Sequence, residues 1–471
     1  MTAEPYRFGS GLLTDLYELA MAAGYVETGF EANATFEMIV RSLPERRNFL
    51  IAAGLDQALH FLENLRFSAA EIDYLRGLPV FQHISARFFD YLAGFRFQGE
   101  VWAMPEGTTF FPGEPILRVT AAVGEAQVAE TALLAILHFQ TMIASKAARI
   151  VSAAAGKRVV EFGSRRAHGV EAGIFAARAS YLAGCSGTSN SYAGFHFGIP
   201  VFGTQAHSWI MAHEHEDEAF RKFVDVFHGE TTLLVDTYDV RAAIERLIHS
   251  GCKPRGVRLD SGDLVADSIW ARQKLDDAGW TDVRVFASGD LDEDRIASLL
   301  AAGAKIEAFG VGTALVVSAD APALGMIYKL VELERRGEVR FPAKFSESKL
   351  TYPGRKQVFR SAPAEGTFNG DLIALEAEAQ DFAPGFAPLL RPVMRDGKRL
   401  AIVPRGKEAL SDARERCGRE ISSLPPELRS LSHVRVPYPV RYSAKLDDLL
   451  AQESRRLGIE PDEVSRARGH V

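Results

Sequence analysis

Between residues 156 and 333 the chain repeats one pattern. Short apolar runs end in small or reactive residues, and longer segments with helical spacing follow. The runs are RVVEFGSRR (158–166), YLAGCSGTSN (181–190), PVFGTQAH (200–207), TLLVDTYD (232–239), GVRLDSGD (256–263), VRVFASGD (283–290), IEAFGVGT (306–313) and MIYKLVEL (326–333). Among the intervening segments, VEAGIFAARASYL, EDEAFRKFVDVFH, DVRAAIERLIHSG, LVADSIWARQKLDDAG and LDEDRIASLLAAG have the spacing of crossover helices. Eight runs mostly separated by helices predict a parallel (β/α) barrel, made irregular at the second run and its link to the third.

The flanks have a different texture. LLTDLYELAMAAGYV (12–26) predicts a helix capped by Thr14 or Asp15. TFEMIVRSLP (35–44) predicts a strand ending at the basic turn PERRN, and 101–121 predicts short strands joined by Pro-Gly turns. After residue 335 the chain is less regular. RFPAKFSESKLTYPGRKQVFR (340–360) is basic and turn-rich, and KLDDLLAQESRRLG predicts a surface or interface helix.

At 471 residues, more than one domain is expected. The 47% apolar and 24% charged composition is that of a globular chain, and a net charge of −7 gives no reason to expect nucleic acid or an anionic membrane as partner. Cys185, Cys252 and Cys417 are far apart, which fits neither a disulfide framework nor a zinc ribbon and agrees with a reducing compartment. MTAEPYRFGS lacks secretory-signal character. The most lipid-like stretch, 131–151, is broken by His138, Gln140, Lys146 and Arg149 and reads as a buried helix. The expected location is cytoplasmic.

In parallel α/β folds the carboxyl ends of the strands share one pocket, which can bring together Arg165, Thr188, His207, Asp260, Asp290 and Gly312. EFGSRRAHG offers an aromatic, Phe162, beside guanidinium forks suited to carboxylate or phosphate; a solvated charge pair is the alternative. LDSGDL and ASGDLDE deliver Ser-Gly-Asp twice. Carboxylates there suit Mg²⁺ or ribose hydroxyls, whereas helix capping explains Asp263 and Asp290 as well but Asp260 less well. FGVGTAL offers backbone N–H groups to a phosphate, although glycine turns after strands are common. His213, Glu214 and His215 in AHEHEDE invite a zinc site, but histidines at i, i+2 point to different helix faces, so a solvated helix start is the stronger reading.

Together, LLTDLYELAMAAGY, FEMIVRSLPERRNFLIAAGL, EFGSRRAHG, GTSN, FGTQAHSWIMAH, VRLDSGDL, SGDLDE, EAFGVGT and KLTYPGRKQVFR resemble the nicotinate phosphoribosyltransferase family, in order, from about residue 11 to 360. The resemblance implies an irregular TIM-like barrel plus an α/β domain built from both termini. The expected divisions are 1–130 for the N-terminal α/β part, 131–335 for the barrel and 336–471 for the segment completing the α/β domain with tail helices.

It also implies a homodimer with shared active sites. Nicotinate and phosphoribosyl pyrophosphate would give nicotinate mononucleotide and pyrophosphate, with Mg²⁺ and coupled ATP hydrolysis, in NAD salvage. Residue by residue, the resemblance puts Phe162 on the pyridine ring, with Tyr17 of the partner subunit on its other face. Arg165 would bind near the ring and its carboxylate, and Ser186, Thr188 and Ser189 would line the next strand end. The resemblance implies that Asp260 and Asp290 would hold ribose or Mg²⁺-pyrophosphate, and that Gly310, Gly312 and Thr313 would hold the 5′-phosphate. It makes Arg41, Arg47, Lys344 and Lys349 candidates for contacts to pyrophosphate across the interface. By the same resemblance His207 would be the histidine that ATP phosphorylates.

A nicotinamide-specific relative is expected to carry an acidic residue after the Gly-Thr of the second strand end. GTSN therefore favours nicotinate. A quinolinate-specific relative matches only the PEGTTFFPGEPI region, and a Schiff-base lyase would need a strand-end lysine, for which Lys329 is unsuited.

Overall fold

The computed structural model describes residues 7–346, 350–361, 366–380, 385–434, 436–460 and 463. They form two compact units: one of 1–141, 323–428 and 433–471, the other of 142–322 and 429–432. The helix Glu130–Ala153 runs through the first boundary.

The second unit is the barrel-like one. Its six parallel strands are β1 (Arg158–Glu161), β2 (Gly187–Thr188), β3 (Thr232–Leu234), β4 (Gly256–Leu259), β5 (Arg284–Ala287) and β6 (Ala308–Val311). They stand in the order β2-β1-β6-β5-β4-β3. All are short and most of their residues are buried, as in strands covered on both faces. The fold is α/β, an incomplete TIM-like barrel with an added α/β domain.

Two of the eight predicted barrel runs depart from expectation. PVFGTQAH, expected as the third strand, supplies only a single bridge, Thr188 to Val201, so the irregularity expected at the second run and its link extends into the third. MIYKLVEL lies in the other unit, where Met326–Arg335 pairs antiparallel with Asn33–Val40. Its ten residues are largely half-buried, the signature of a strand in a sheet covered on one face.

The first unit interleaves both ends of the chain. Its seven-stranded sheet runs Glu338–Arg340, Met326–Arg335, Asn33–Val40, Pro115–Ala122, Glu100–Ala103, Arg391–Arg395, Lys398–Arg399. A second sheet contains Phe386–Pro388, Lys356–Ser361, Gly370–Leu375 and Val440–Tyr442. The predicted first helix spans Leu16–Glu27; Asp15 takes the N-cap position without a side-chain cap bond. The lipid-like stretch is the helix Glu130–Ala153, and among the described residues no helix is long and apolar enough to cross a membrane. Arg360 is buried on Asp371 (2.6 Å) and Glu420 (2.7 Å), so this unit holds a charged as well as an apolar core.

Candidate functional site

The carboxyl ends of β1, β4, β5 and β6 open into a cavity of about 490 Å³ that lies wholly within the barrel unit. Among the predicted site residues, Phe162, Arg165, Ser189, Asp260, Asp290, Gly310, Gly312 and Thr313 line it. Each comes from the end of a strand or the turn after it, because a parallel sheet delivers every strand's carboxyl end to the same side.

The aromatic wall begins at Phe162, whose backbone N–H donates to the Val311 carbonyl at 2.8 Å. Its ring lies 5.5 Å from that of Phe286, and the Arg258 guanidinium stands 5.7 Å from its centroid. Gly310 makes this possible: a Cβ there would come 2.8 Å from Phe162 and 2.9 Å from Phe286. Beneath it, buried Glu161 accepts from the Gly163 N–H and the Thr188 hydroxyl, fixing the turn that presents Arg165 and Arg166. Burial raises the Glu161 pKa, and those two hydrogen bonds oppose it only in part.

Asp260 is the most engaged carboxylate. Arg258 donates to its Oδ1 at 2.5 Å, and the Ser288 hydroxyl donates to the same oxygen. Burial pushes the Asp260 pKa up, but the Ser288 hydrogen bond and the Arg258 charge outweigh it and hold the group below its ordinary value. Asp236, at the end of the TLLVD run, accepts from the Asp260 N–H (3.0 Å) and the Ser261 hydroxyl (2.6 Å).

His207 opens the short helix His207–Met211. Its Nδ1 lies 3.2 Å from the Thr237 hydroxyl and its Nε2 lies 3.9 Å from Asp260 Oδ2. The side chain is 42% exposed, so the ring remains open to a ligand.

The two Ser-Gly-Asp segments differ in use. Asp263 caps the helix Leu264–Asp277, accepting from Val265 and Ala266, as capping predicts. Asp290 does not cap: Asp292 performs that role for the next helix, leaving Asp290 exposed on the cavity with φ +47°. Gly289 sits against the neighbouring strand end, where a Cβ would lie 1.9 Å from the Asp260 carbonyl.

Other predicted residues are not gathered here. Ser186 does not line the cavity. Thr188 is fully buried, and its hydroxyl is spent on Glu161 and the Asn190 N–H, so it is not presented to a substrate in this conformation. Tyr17, Arg41, Arg47 and Lys344 belong to the other unit. Tyr17 is 53% exposed, whereas Arg47 is 1% exposed and not displayed at the surface. Lys349 lies outside the described residues. His213 makes its contact with the Trp209 carbonyl (2.8 Å), and His215 sits at a helix N-cap; among the described residues no three potential ligands group for a metal.

Sequence reasoning passed over Arg258, Ser288, Asp236, Thr237 and Glu161. A signal existed for Arg258: it lies two residues before Asp260, which directly follows the same strand, so extended spacing turns both side chains to one face.

These features define an α/β-barrel protein whose strand ends combine an aromatic wall, guanidinium groups, carboxylates and glycine turns, the equipment for a flat ring and a polyanion. Residues 12–138 match the nicotinate phosphoribosyltransferase N-terminal domain, and residues 157–340 match the nicotinate phosphoribosyltransferase family. A nicotinate phosphoribosyltransferase of Mycobacterium tuberculosis is 46% identical over 447 residues, 94% of this chain and 93% of that one. One from Bacillus subtilis is 43% identical over 378 residues, 78% of this chain and 76% of that one. The crystal structure of human nicotinic acid phosphoribosyltransferase superposes with TM-score 0.81 at 27% identity, covering 93% of this chain and 99% of that one. The chain belongs to the nicotinate phosphoribosyltransferase family.

Proposed function

We propose that the protein transfers the phosphoribosyl group of phosphoribosyl pyrophosphate to nicotinate in NAD salvage. The pyridine nitrogen attacks C1 of the ribose as the C1–O bond to pyrophosphate breaks, giving nicotinate mononucleotide. The observation that carries this reading is one cavity lined by Phe162, Arg165, Asp260, Asp290, Gly310 and Gly312.

Phe162 offers its face to the pyridine ring and Arg165 pairs with the carboxylate. Ser189, in the place where an acidic residue would favour the amide, leaves that carboxylate unopposed. Asp260 stays ionised and faces the positive charge that develops on the ribose. The turn at Gly310, Gly312 and Thr313 takes the 5′-phosphate, whose charge suits backbone N–H groups. Asp290, exposed and oxygen-bearing, and Asp260 are donors of the type Mg²⁺ prefers. When bound, that ion neutralises the leaving pyrophosphate.

In the same reading ATP phosphorylates His207: the imidazole nitrogen forms a bond to the γ-phosphorus and ADP leaves. The added charge reorders neighbouring groups and couples hydrolysis to transfer, a ligase-type cycle. The protein acts as a cytoplasmic homodimer in which Tyr17 of the partner subunit covers the ring, a contact favoured by the exposed apolar Leu16 and Met21 beside it. Arg41 and Lys344 reach the pyrophosphate from that partner. Turnover of nicotinamide in place of nicotinate would overturn the assignment; product chromatography with both substrates decides.

A further inference from the structure

Outside the cavity lining, the barrel unit buries a cluster of four charges that the mechanism does not use. Lys146, on the helix Glu130–Ala153, is 2% exposed. Its Nζ lies 2.6 Å from Glu293 Oε2 and 2.8 Å from Asp320 Oδ1. Arg149, one turn further along the helix, donates from Nε to Glu293 Oε1 at 3.0 Å and from Nη2 to the Leu431 carbonyl at 3.0 Å. Two cations meet two carboxylates, so the cluster is charge-balanced.

What the carboxylates are attached to gives the cluster its meaning. Glu293 opens the helix that follows Asp290, three residues after it. Asp320 follows the short helix Thr313–Val316, which begins at the turn carrying Gly310, Gly312 and Thr313. These two turns approach the cavity from adjacent strands, β5 and β6. Non-glycine residues in the left-handed region mark both paths: Asp290 at φ +47° in the first turn and Ser318 at φ +42° between the helix Thr313–Val316 and Asp320. One buried ammonium therefore ties the far ends of both turns to one rigid helix.

We propose that Lys146 is a positioning residue that sets the spacing between the Asp290 turn and the Gly312–Thr313 turn, and thereby the fit of phosphoribosyl pyrophosphate. The inference rests on the substrate reading given above. A buried salt bridge is seldom retained for stability alone, since apolar replacements often serve as well. A fixed distance between two anion-binding turns is something an apolar replacement does not supply. Nicotinate, held by Phe162 and Arg165 in the turn after β1, does not depend on this tie.

The test measures equilibrium binding of phosphoribosyl pyrophosphate with Mg²⁺ to the full-length protein, beside KM for both substrates. Asp320→Asn cuts one arm of the tie and leaves the Lys146–Glu293 pair in place. K146M combined with D320N removes the tie and leaves Glu293 balanced by Arg149. We expect both to weaken phosphoribosyl pyrophosphate binding, by about ten-fold for the double variant, with KM for nicotinate changed less than about two-fold. Lys146→Arg, which keeps the charge, should recover part of the loss. Wild-type affinity in folded Asp320→Asn and in the double variant would overturn the proposal, as would an equal rise of KM for both substrates. Should the double variant fail to fold, Asp320→Asn alone decides. A wild-type protein that does not bind phosphoribosyl pyrophosphate refutes the substrate reading instead.

Discussion

His207 and Asp260 face one another at the ends of separate segments, with Nε2 3.9 Å from Oδ2 and the other ring nitrogen 3.2 Å from the Thr237 hydroxyl. The carboxylate is held ionised by Arg258 and Ser288, so the imidazole meets a fixed negative charge on one side and a neutral partner on the other. This arrangement orients the ring and leaves Nε2 as the nitrogen turned toward the cavity's carboxylate.

The first prediction concerns that ring. Incubation with γ-labelled ATP should give acid-labile label on the wild type and none on His207→Ala. Thr237→Val, which removes only the orienting hydroxyl, should slow labelling by about ten-fold, the worth of one hydrogen bond. Label that persists in His207→Ala refutes the phosphoacceptor role.

A second prediction uses the depressed pKa of Asp260. A carboxylate whose folded-state value is lowered binds fewer protons folded than unfolded. Its stabilising contribution is then complete above the ordinary aspartate value of about 3.9 and is lost as pH falls through the lowered folded-state value. Denaturant unfolding of Asp260→Asn should show a deficit at neutral pH that shrinks steadily below about pH 4. A deficit independent of pH would contradict the account.

Arg165 provides the third. Replacing it by Gln removes a charged fork from the cavity while leaving the turn held by Glu161 intact. The KM for nicotinate should rise about 10- to 100-fold, as expected for a hydrogen bond to a charged group, while phosphoribosyl pyrophosphate binding stays near wild type. Steady-state kinetics with each substrate varied in turn separates the two.

The fourth lies in the other unit and reads stability, not activity. Arg360→Met would leave Asp371 buried without its cation, and Glu420 without one of its partners. The cost should be about 3–5 kcal/mol, measured by chemical denaturation, because an uncompensated buried charge is left behind. A loss below about 1 kcal/mol would mean that neighbouring donors take over.

Much of this architecture was readable from residue pattern alone. Short buried runs such as GVRLD and VRVFA announce parallel strands, and the parallel rule then forces Phe162, Asp260, Asp290 and Gly312 toward one side. The same run length misled at MIYKLVEL, because a run of apolar residues does not say which sheet it joins; its partner strand lies nearly three hundred residues earlier in the chain. Thr188 was singled out as a polar residue at a strand end, but its hydroxyl turns inward to Glu161. Asp236 and Thr237 carry no spacing signal of their own, since their importance comes from register with β4 and from the return of the His207 segment. Charged clusters such as Lys146, Glu293 and Asp320 are similarly invisible in one dimension.

The central claim is tested most directly by incubating the purified protein with nicotinate, phosphoribosyl pyrophosphate, Mg²⁺ and ATP and separating the products by chromatography. The account predicts nicotinate mononucleotide and pyrophosphate in equal amounts, with little product when nicotinamide replaces nicotinate. No nicotinate mononucleotide from protein that is folded and binds phosphoribosyl pyrophosphate would contradict it.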